Sequence, residues 1–208
     1  MPMSDGPDAP ALREADMPRD PIEKFREWFE AAGDAGHVEP TAMTLATADD
    51  EGRPSARVVL LKEFDAEGFV FYTNYDSRKG AELAANPQAS LVFWWDRLAR
   101  QVRIEGAVEK VADTVSDEYF RSRPRNSQLA AWASRQSAPV PDRAALESRF
   151  ESLAREHAGR EVPRPPFWGG YRLRPRSIEF WQGRGDRLHD RFRYRIQEGR
   201  WILERLAP

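Results

Sequence analysis

Hydrophobic side chains recur at a helical spacing near the N-terminus of the chain. Asp20 precedes Pro21, which is typical of a helix that begins with an N-cap residue and has proline at its first position. Gly33 supplies a stop signal. This pattern predicts a first helix, and the side chains on its apolar face are Ile22, Phe25, Phe29 and Ala32, with Trp28 beside them.

From Thr41 onwards the apolar pattern changes to that of strands. Turn residues at 49–54 and 65–68 divide the chain into short runs rich in β-branched and aromatic side chains. The predicted strands are 41–47, 55–64, 69–73, 90–96 and 101–111. We expect the first three to form a meander. Five consecutive strands with short turns favour an antiparallel barrel over a doubly wound sheet.

Helical segments interrupt and follow these strands. Ser77 is expected to cap a short helix that ends near Asn86, just before a proline. Later helices are predicted at 116–123, 126–133 and 142–157, followed by a hairpin with strands 178–181 and 187–195 around a turn at 182–186, and a final strand at 200–207. The predicted fold class is therefore mainly β with peripheral helices (α+β).

The length of 208 residues suits one domain. Residues 1–19 carry few apolar groups, so we expect a disordered or mobile arm there and a single domain over 20–208. The absence of cysteine excludes disulfides and thiolate chemistry and favours a cytoplasmic location. The chain has no apolar run long enough for a membrane span and no export signal, and its three histidines are too far apart in sequence to indicate a metal site.

Charge is unevenly distributed along the chain. The net charge of -2 provides no global basic field that would attract nucleic acid or an anionic membrane. Residues 172–208 nevertheless carry 10 Arg and 5 Asp or Glu, so this region is +5 and the remainder of the chain is -7. A nucleic-acid binder that uses the +5 region is disfavoured by the acidic remainder and by the lack of a recognition motif.

The predicted hairpin carries an unusual row of polar side chains. If 187–195 is a strand, Arg187, His189 and Arg191 point to the same side of it. Two guanidinium groups and an imidazole in a row suit an anionic, hydrogen-bonding small molecule. The alternative is a solvated edge strand that its charges keep soluble.

Two other segments have the composition of anion sites. Arg78 and Lys79 fall in the first turn of the helix predicted after Ser77, where the helix dipole prefers an anion. Tyr119 and Arg123 share a helix face, and Ser127 follows near the start of the next helix, so together they describe a second oxyanion pocket. The alternatives are an ordinary surface turn at 77–80 and an ordinary capped helix junction at 122–127. Two such sites suggest two phosphorylated ligands, or one ligand with two charged ends.

Several longer motifs resemble one known family. These are RVVLLK at 57–62, FYTN at 71–74, SRK at 77–79, RQV at 100–102, YFRSRPRNSQ at 119–128, RQS at 135–137, FWGGYR at 167–172 and IEFWQGRGDRLHDR at 178–191. In this order they are similar to the pyridoxine (pyridoxamine) 5'-phosphate oxidases, over about residues 20–208. The resemblance implies an antiparallel FMN-binding split β-barrel that works as a homodimer with the flavin at the subunit interface.

The resemblance also implies roles for individual residues. Those that would hold FMN are Arg57, Val58, Val59, Leu60, Leu61, Lys62, Tyr72, Thr73, Arg78, Lys79, Gln101, Gln136, Ser137, Trp181 and Arg191. Those that would grip the substrate phosphate are Lys62, Tyr119, Arg123 and Ser127. Arg187 and His189 would contact the pyridine ring of the substrate and are the implied catalytic residues.

The activity that the resemblance implies is FMN-dependent oxidation of pyridoxamine 5'-phosphate or pyridoxine 5'-phosphate to pyridoxal 5'-phosphate, with dioxygen as acceptor and hydrogen peroxide as product. Two related functions stay open. One is a split-barrel flavin reductase with a different substrate, which would keep the SRK motif without needing the RLHDR motif. The other is a non-catalytic carrier of pyridoxal phosphate.

Overall fold

The structure is a computed structural model that describes residues 11–185 and 187–208. Residues 1–10 of the predicted arm and residue 186 of the predicted turn lie outside the described residues. The helices are α1 (Pro21–Asp34), α2 (Arg78–Ala85), α3 (Asp113–Ser122), α4 (Arg125–Ala133) and α5 (Arg143–Glu156). The strands are β1 (Ala42–Ala48), β2 (Pro54–Leu60), β3 (Glu63–Asp65), β4 (Gly68–Asn74), β5 (Gln88–Trp95), β6 (Arg100–Lys110), β7 (Trp168–Gln182), β8 (Asp190–Gln197) and β9 (Arg200–Arg205).

The strands form one antiparallel sheet that curls towards a barrel. Its order is β2-β1-β5-β6-β7-β4-β3, with β8 and β9 added beside β7. The terminal strands β2 and β3 are consecutive in the chain and are separated only by Leu61 and Lys62. The backbone N–H of Leu61 donates to Thr41 at one end of the sheet, and that of Lys62 donates to Val70 at the other. The chain itself therefore joins the two ends of the curled sheet, and the predicted barrel class is confirmed.

Strand β7 is where the barrel splits. Residues 168–173 of β7 pair with β4, whereas residues 177–182 pair with β8, and β6 pairs with both halves. Pro175 lies between the two halves, where the missing backbone N–H costs no ladder bond to β4 or β8. A β-bulge between Glu105 and Gly106 bends β6 at the same level.

Two of the strand predictions need correction. The run 55–64 is not one strand, because the chain leaves β2 after Leu60 and starts β3 at Glu63. The predicted meander is confirmed only in its pairings, β1 with β2 and β3 with β4, because the break after Leu60 puts these two pairs at opposite ends of the sheet and β4 pairs with β7 on its other side. Apolar alternation is the same in both arrangements, so the local pattern could not distinguish a continuous strand from one that changes partners.

Helix α1 fills the interior of the curled sheet. Asp20 caps it by accepting a hydrogen bond from the N–H of Ile22 (2.9 Å), as predicted. Phe25 is fully buried, with its ring edge-on to Phe69 (4.8 Å between centroids) and to Phe93 (5.1 Å). Burying such an aromatic side chain stabilises a fold by about 1.5–3 kcal/mol, so α1 anchors strands that are distant in sequence.

Residues 11–19 lie against the body of the protein, which corrects the expected arm for this part of the chain. Leu12 is buried, and its backbone N–H donates to Asp190 (3.1 Å). The hydroxyl of Tyr194 donates to the carbonyl of Pro18 (2.7 Å). Two apolar side chains, Leu12 and Met17, and a few backbone groups dock this segment, although its composition is that of a mobile one.

Helices α3, α4 and α5 form a layer outside the sheet. Phe120 and Leu129 pack with Trp168 in a second apolar cluster, separate from the main core. Asp142 caps α5 by accepting from the N–H of Ala145 (2.8 Å). The predicted helices are confirmed, with α3 starting three residues earlier than expected. Among the described residues, no helix has the length and apolar character that a membrane crossing requires.

Replacing each of two helical glycines with alanine should change the stability of the fold in opposite directions. A Cβ added at Gly80 in α2 would lie 2.0 Å from the carbonyl oxygen of Tyr75, whereas one at Gly33 in α1 would meet no atom within 4 Å. We expect Gly80→Ala to destabilise the fold by about 1–3 kcal/mol and Gly33→Ala to stabilise it by about 0.5–1 kcal/mol. Thermal unfolding of the two variants measures this, and equal shifts would contradict the close approach of α2 to Tyr75.

Candidate functional site

A groove with a volume of about 990 Å³ runs beside the terminal strand β2. Its walls come from β2, β4, the first turn of α2, the junction of α3 with α4 and the segment after α4. The structure brings these predicted site residues together along the groove: Arg57, Val58, Val59, Leu60, Lys62, Tyr72, Thr73, Arg78, Lys79, Tyr119, Arg123, Ser127, Gln136 and Ser137. They come from distant parts of the sequence, which the barrel closure places side by side.

Lys79 is the centre of the first cation cluster in the groove. Its side chain is almost completely buried, and its ammonium donates to Thr73 (3.2 Å), to Ser77 (3.4 Å) and to Gln136 (3.1 Å). All three acceptors are uncharged. Burial, with the nearby charge of Arg57, lowers the pKa of Lys79. An anion in the groove would therefore supply the counter-charge that the direct contacts of Lys79 lack.

The start of α2 is tied to the segment that follows α4. Ser77 caps α2, as predicted, by accepting from the N–H of Gly80 (3.4 Å). The backbone N–H of Arg78 donates to the hydroxyl of Ser137 (3.2 Å). Ser137 has a φ of +74°, a conformation that non-glycine residues rarely adopt. The backbone at this point is held in an uncommon conformation that directs a hydroxyl towards the helix N-terminus.

Arg123 is the centre of the second cation cluster. Its guanidinium lies 4.5 Å from the ring centroid of Trp168. In the same cluster the rings of Tyr72 and Tyr119 stack on each other, with 3.8 Å between their centroids. Nη1 of Arg123 is buried and makes no hydrogen bond within the part of the chain that the structure describes. Burial lowers the pKa of Arg123 and raises the pKa of Tyr72 to about 12. At neutral pH this cluster therefore offers an arginine cation and protonated phenols, all of them donors.

Ser127 and Lys62 complete the second cluster from opposite walls. Ser127 is in the first turn of α4, which has no side-chain cap at its N-terminus. Lys62 is exposed and lies in the connection after β2, so it belongs to no strand. Leu61, by contrast, is buried with 3% exposure and does not line the groove, although the resemblance placed it at the cofactor. Its side chain points to the core because it closes the barrel.

Apart from Arg187, the remaining predicted site residues form a separate surface, which we call the hairpin surface: Gln101, Trp181, His189 and Arg191. Gln101 pairs with Trp181 across β6 and β7, and Trp181 pairs with Arg191 across β7 and β8. Their side chains face away from the core. Nε of Arg191 is 2.8 Å from a carboxylate oxygen of Glu179. None of the four lines the groove.

The predicted row of Arg187, His189 and Arg191 on one strand is wrong. Strand β8 begins only at Asp190, so Arg187 and His189 belong to the connection that precedes it. Arg187 is exposed, with a φ of +62°. Nδ1 of His189 accepts from the backbone N–H of Arg184 (3.0 Å), and the imidazole centroid is 4.6 Å from that of Trp181. The ring contact with Trp181 and the hydrogen bond from Arg184, and not strand alternation, orient the histidine.

Exposed apolar side chains lie on the face of the sheet that carries the hairpin surface. Val58 is 67% exposed and Trp94 is 48% exposed. Val58 and Val92 are both paired with Thr44, so they share one side of three adjacent strands. The rings of Trp94 and Trp181 are 5.9 Å apart. A continuous face of this kind, with apolar side chains beside cations, is typical of a contact surface for another protein.

Trp168 and Ser55 are among the groove-lining residues that were not predicted, and Thr47 and Glu82, which contact Arg57 from outside the lining, were not predicted either. Trp168 lies within the FWGGYR motif, and the resemblance assigned this tryptophan no role. Ser55, Thr47 and Glu82 surround Arg57. The only sequence signal for Glu82 is its position four residues after Arg78 on a helix, a spacing that often gives an ion pair. Thr47 and Ser55 had no signal, because their pairing across β1 and β2 depends on strand register.

Two family models match this chain. The one described as pyridoxamine 5'-phosphate oxidase matches residues 23–155. The one described as the C-terminal dimerisation region of pyridoxine 5'-phosphate oxidase matches residues 168–208, which include β7, β8, β9 and three of the four hairpin-surface residues.

Curated relatives match over nearly their whole length. A pyridoxine/pyridoxamine 5'-phosphate oxidase of Cyanothece sp. is 57% identical over 198 residues, which cover 95% of this chain and 93% of that one. A protein of Ralstonia nicotianae, named pyridoxine/pyridoxamine 5'-phosphate oxidase 1, is 58% identical over 195 residues, which cover 93% of this chain and 92% of that one.

Solved structures share the fold. PhzG from Burkholderia lata, in complex with tetrahydrophenazine-1-carboxylic acid, has a TM-score of 0.92 at 35% identity and covers 98% of this chain and 100% of its own. An FMN-binding protein from Nostoc punctiforme, related to pyridoxamine 5'-phosphate oxidase, has a TM-score of 0.71 at 16% identity and covers 92% of this chain and 100% of its own. The second likeness concerns the fold alone.

Replacing Lys79 should stabilise the ligand-free protein. Lys79→Met removes a buried ammonium whose direct partners are uncharged, so we expect a gain of about 1 kcal/mol, or a rise of roughly 2–4 °C in the unfolding midpoint. Because the folded-state pKa of Lys79 is lowered, the gain should be full below that pKa and shrink as the pH rises through it towards the unfolded value.

The matched control is Lys110→Met, which removes an exposed lysine and should give no such gain. Thermal unfolding of both ligand-free variants over a pH series measures the difference. A loss of stability in Lys79→Met would show that this ammonium is already well compensated in the groove.

Proposed function

Since this chain belongs to the pyridoxamine 5'-phosphate oxidase family, we propose that it oxidises pyridoxamine 5'-phosphate or pyridoxine 5'-phosphate to pyridoxal 5'-phosphate, with FMN as cofactor and dioxygen as electron acceptor. The alcohol substrate and dioxygen give the aldehyde and hydrogen peroxide. The amine substrate also consumes one water and releases ammonia. Both reactions remove two electrons from the same carbon.

The observation that carries this proposal is the presence of two separate cation clusters in one groove. Lys79 and Arg123 are each largely withdrawn from solvent, and neither makes an ion pair among the described residues. A buried cation without a counter-ion is unfavourable unless a ligand supplies the anion. Two such cations suit two phosphate groups, one on the flavin and one on the substrate.

The residues of the first cluster fit the phosphate end of FMN. Arg78 and Lys79 lie in the first turn of α2, where free backbone N–H groups and the helix dipole also favour an anion. The side chains that would hold FMN from this subunit are Arg57, Tyr72, Thr73, Arg78, Lys79, Gln136 and Ser137. The exposed edge of β2, with Val58, Val59 and Leu60, would lie along the flavin.

The second cluster fits the phosphate of the substrate. Arg123, Tyr119 and Ser127 would donate to its oxygens from one wall, and Lys62 from the other. Because the pKa of Tyr119 is raised by burial, the phenol keeps its proton and can donate. This cluster favours a substrate that carries a phosphate ester over an uncharged one.

We further propose that the working form is a homodimer. The groove and the hairpin surface are separate in one subunit, so a ligand that touches both must lie between two copies of the chain. The match of residues 168–208 to a family dimerisation region supports this arrangement, as do the exposed Val58 and Trp94. Gln101, Trp181 and Arg191 of one subunit would then complete the FMN site of the other.

FMN, when bound, accepts the hydrogen and electron pair removed from the substrate and passes electrons to dioxygen. The chain supplies position and charge. In neutral His189, Nδ1 accepts a hydrogen bond, so the ring proton is on Nε2, which is able to donate to the substrate. Arg187 would press against the substrate ring. Positioning of this kind accounts for a large part of the barrier reduction in many enzymes.

A visible absorption spectrum and an assay of hydrogen peroxide formation with pyridoxamine 5'-phosphate test the proposal directly. The purified protein should show the flavin absorption band at about 450 nm that is expected of bound FMN. It should also form hydrogen peroxide when the substrate is added in air. A flavoprotein without peroxide formation would point to a reductase with another substrate. Binding of pyridoxal phosphate without a flavin band would point to a carrier.

Substitutions at Arg187 and His189, in the connection before β8, should separate catalysis from cofactor binding. Arg187→Leu and His189→Ala should keep FMN and lose about 10- to 1000-fold in kcat/KM, because they remove contacts that position the substrate ring. Arg191→Leu should instead weaken FMN binding, and excess FMN should restore part of its activity.

The control for these variants is Leu188→Ala, which removes an exposed apolar side chain from the same segment. Flavin content, the unfolding midpoint and steady-state rates are measured on all four proteins. Wild-type kcat/KM in Arg187→Leu and His189→Ala, with full flavin, would remove this segment from the active site.

A further inference from the structure

Glu82 lies behind the cations of the first cluster, on the second turn of α2. Its side chain is only 6% exposed. It accepts hydrogen bonds from Thr47 (2.5 Å) and from Ser55 (2.6 Å). It also contacts two arginines, Arg57 at 3.2 Å and Arg78 at 2.8 Å. One carboxylate thus holds two of the three cations that face the proposed phosphate position.

The contact with Arg78 determines which of its donors are available. Glu82 binds Nε of Arg78, which leaves both terminal nitrogens of the guanidinium without a partner among the described residues. Those two nitrogens carry the four N–H groups that suit bidentate binding of a phosphate. Since 65% of the Arg78 side chain is exposed, little else in this part of the chain fixes its orientation.

Arg57 is held more completely. Nη1 donates to the carbonyl of Leu45 (3.3 Å) and to Thr47 (2.5 Å), and Nη2 donates to Ser55 and to Glu82. Of its three nitrogens, Nε alone has no partner among the residues that the structure describes and is left for a ligand. Arg57 therefore acts chiefly as a fixed positive charge beside Lys79, and Glu82 is the charged member of the network that fixes it.

Glu82 is ionised under ordinary conditions. Burial by itself raises its pKa, but hydrogen bonds from Ser55, Thr47 and the two arginines outweigh burial and bring the pKa of Glu82 to about 2. A permanent negative charge behind the phosphate position has two opposed effects. It orients the arginines, which strengthens phosphate binding, and it repels the phosphate, which weakens binding.

We infer that Glu82 is a positioning residue for the phosphate of FMN, and that through Arg57 and Arg78 it sets the preference of the protein for FMN over riboflavin. The inference rests on the proposed function, because it takes the first cluster to be the FMN phosphate site. Orientation outweighs repulsion, since the carboxylate contacts the arginines directly and its charge is already neutralised by two guanidinium groups.

The test compares FMN with riboflavin, which lacks the phosphate. Full-length protein is stripped of flavin, and each ligand is titrated by the quenching of flavin fluorescence. Glu82→Gln keeps the shape of the side chain and removes its charge. We expect the Kd for FMN to rise about tenfold or more, which corresponds to about 1.4 kcal/mol, while the Kd for riboflavin changes less than about twofold.

The matched control is Glu63→Gln, which removes an exposed carboxylate that acts electrostatically on Tyr72 and contacts neither arginine. It should leave the ratio of the two Kd values near that of the wild type. General damage to the fold would weaken both flavins alike and is checked by thermal unfolding. Tighter FMN binding in Glu82→Gln would mean that repulsion dominates, and it would overturn the inference.

A second variant keeps the test decisive if Glu82→Gln does not fold. Ser55→Ala retains the carboxylate but removes the hydroxyl that connects it with Arg57, so FMN preference should fall about threefold. An unchanged ratio in the variant that folds overturns the inference. If the wild-type protein itself binds FMN no better than riboflavin, the proposed phosphate site is wrong, whatever the role of Glu82.

Discussion

The two-residue connection between β2 and β3 is the constraint on which the geometry of the site depends. Leu61 and Lys62 join strands at opposite ends of a curled sheet, and their backbone N–H groups hydrogen-bond to both ends. This closure brings β2 against β4 and places the start of α2 beside Arg57. A longer connection would leave β2 free to move, and the groove would lose one wall. Helix α1 supports the closure from inside, since Phe25 contacts rings of three different strands.

The cations of the groove are only partly neutralised, because few carboxylates lie near them among the described residues. Glu82 neutralises part of the charge of the first cluster, while the described residues in direct contact with Lys79 and Arg123 are uncharged or aromatic. Holding such cations out of water costs free energy that the core must offset. An anionic ligand removes that cost, so binding and folding stability are linked. The arrangement trades stability of the ligand-free protein for affinity, as many functional sites do.

The proposed division of the site between the groove and the hairpin surface would give the proposed dimer a functional role. Strand β7 contributes to both, because Trp168 lines the groove at its start and Trp181 lies on the hairpin surface at its end. The split of the barrel along β7 separates these two ends within a subunit. Association through the outer face of the sheet would place the hairpin surface of one chain near the groove of another. The chemistry proposed here therefore depends on the dimer as well as on the fold.

The sequence by itself determined the helix starts at Asp20 and Ser77, most strand positions and, through its motifs, the family and the residue types of both cation clusters. These features are local, because caps, turns and apolar periods act within a few residues. Tertiary structure alone decided that β4 pairs with β7, that His189 contacts the ring of Trp181 outside any strand, and that Glu82 contacts two arginines. Strand partners and buried ion pairs depend on which distant segments meet, and alternation along one strand is the same whichever partner it takes.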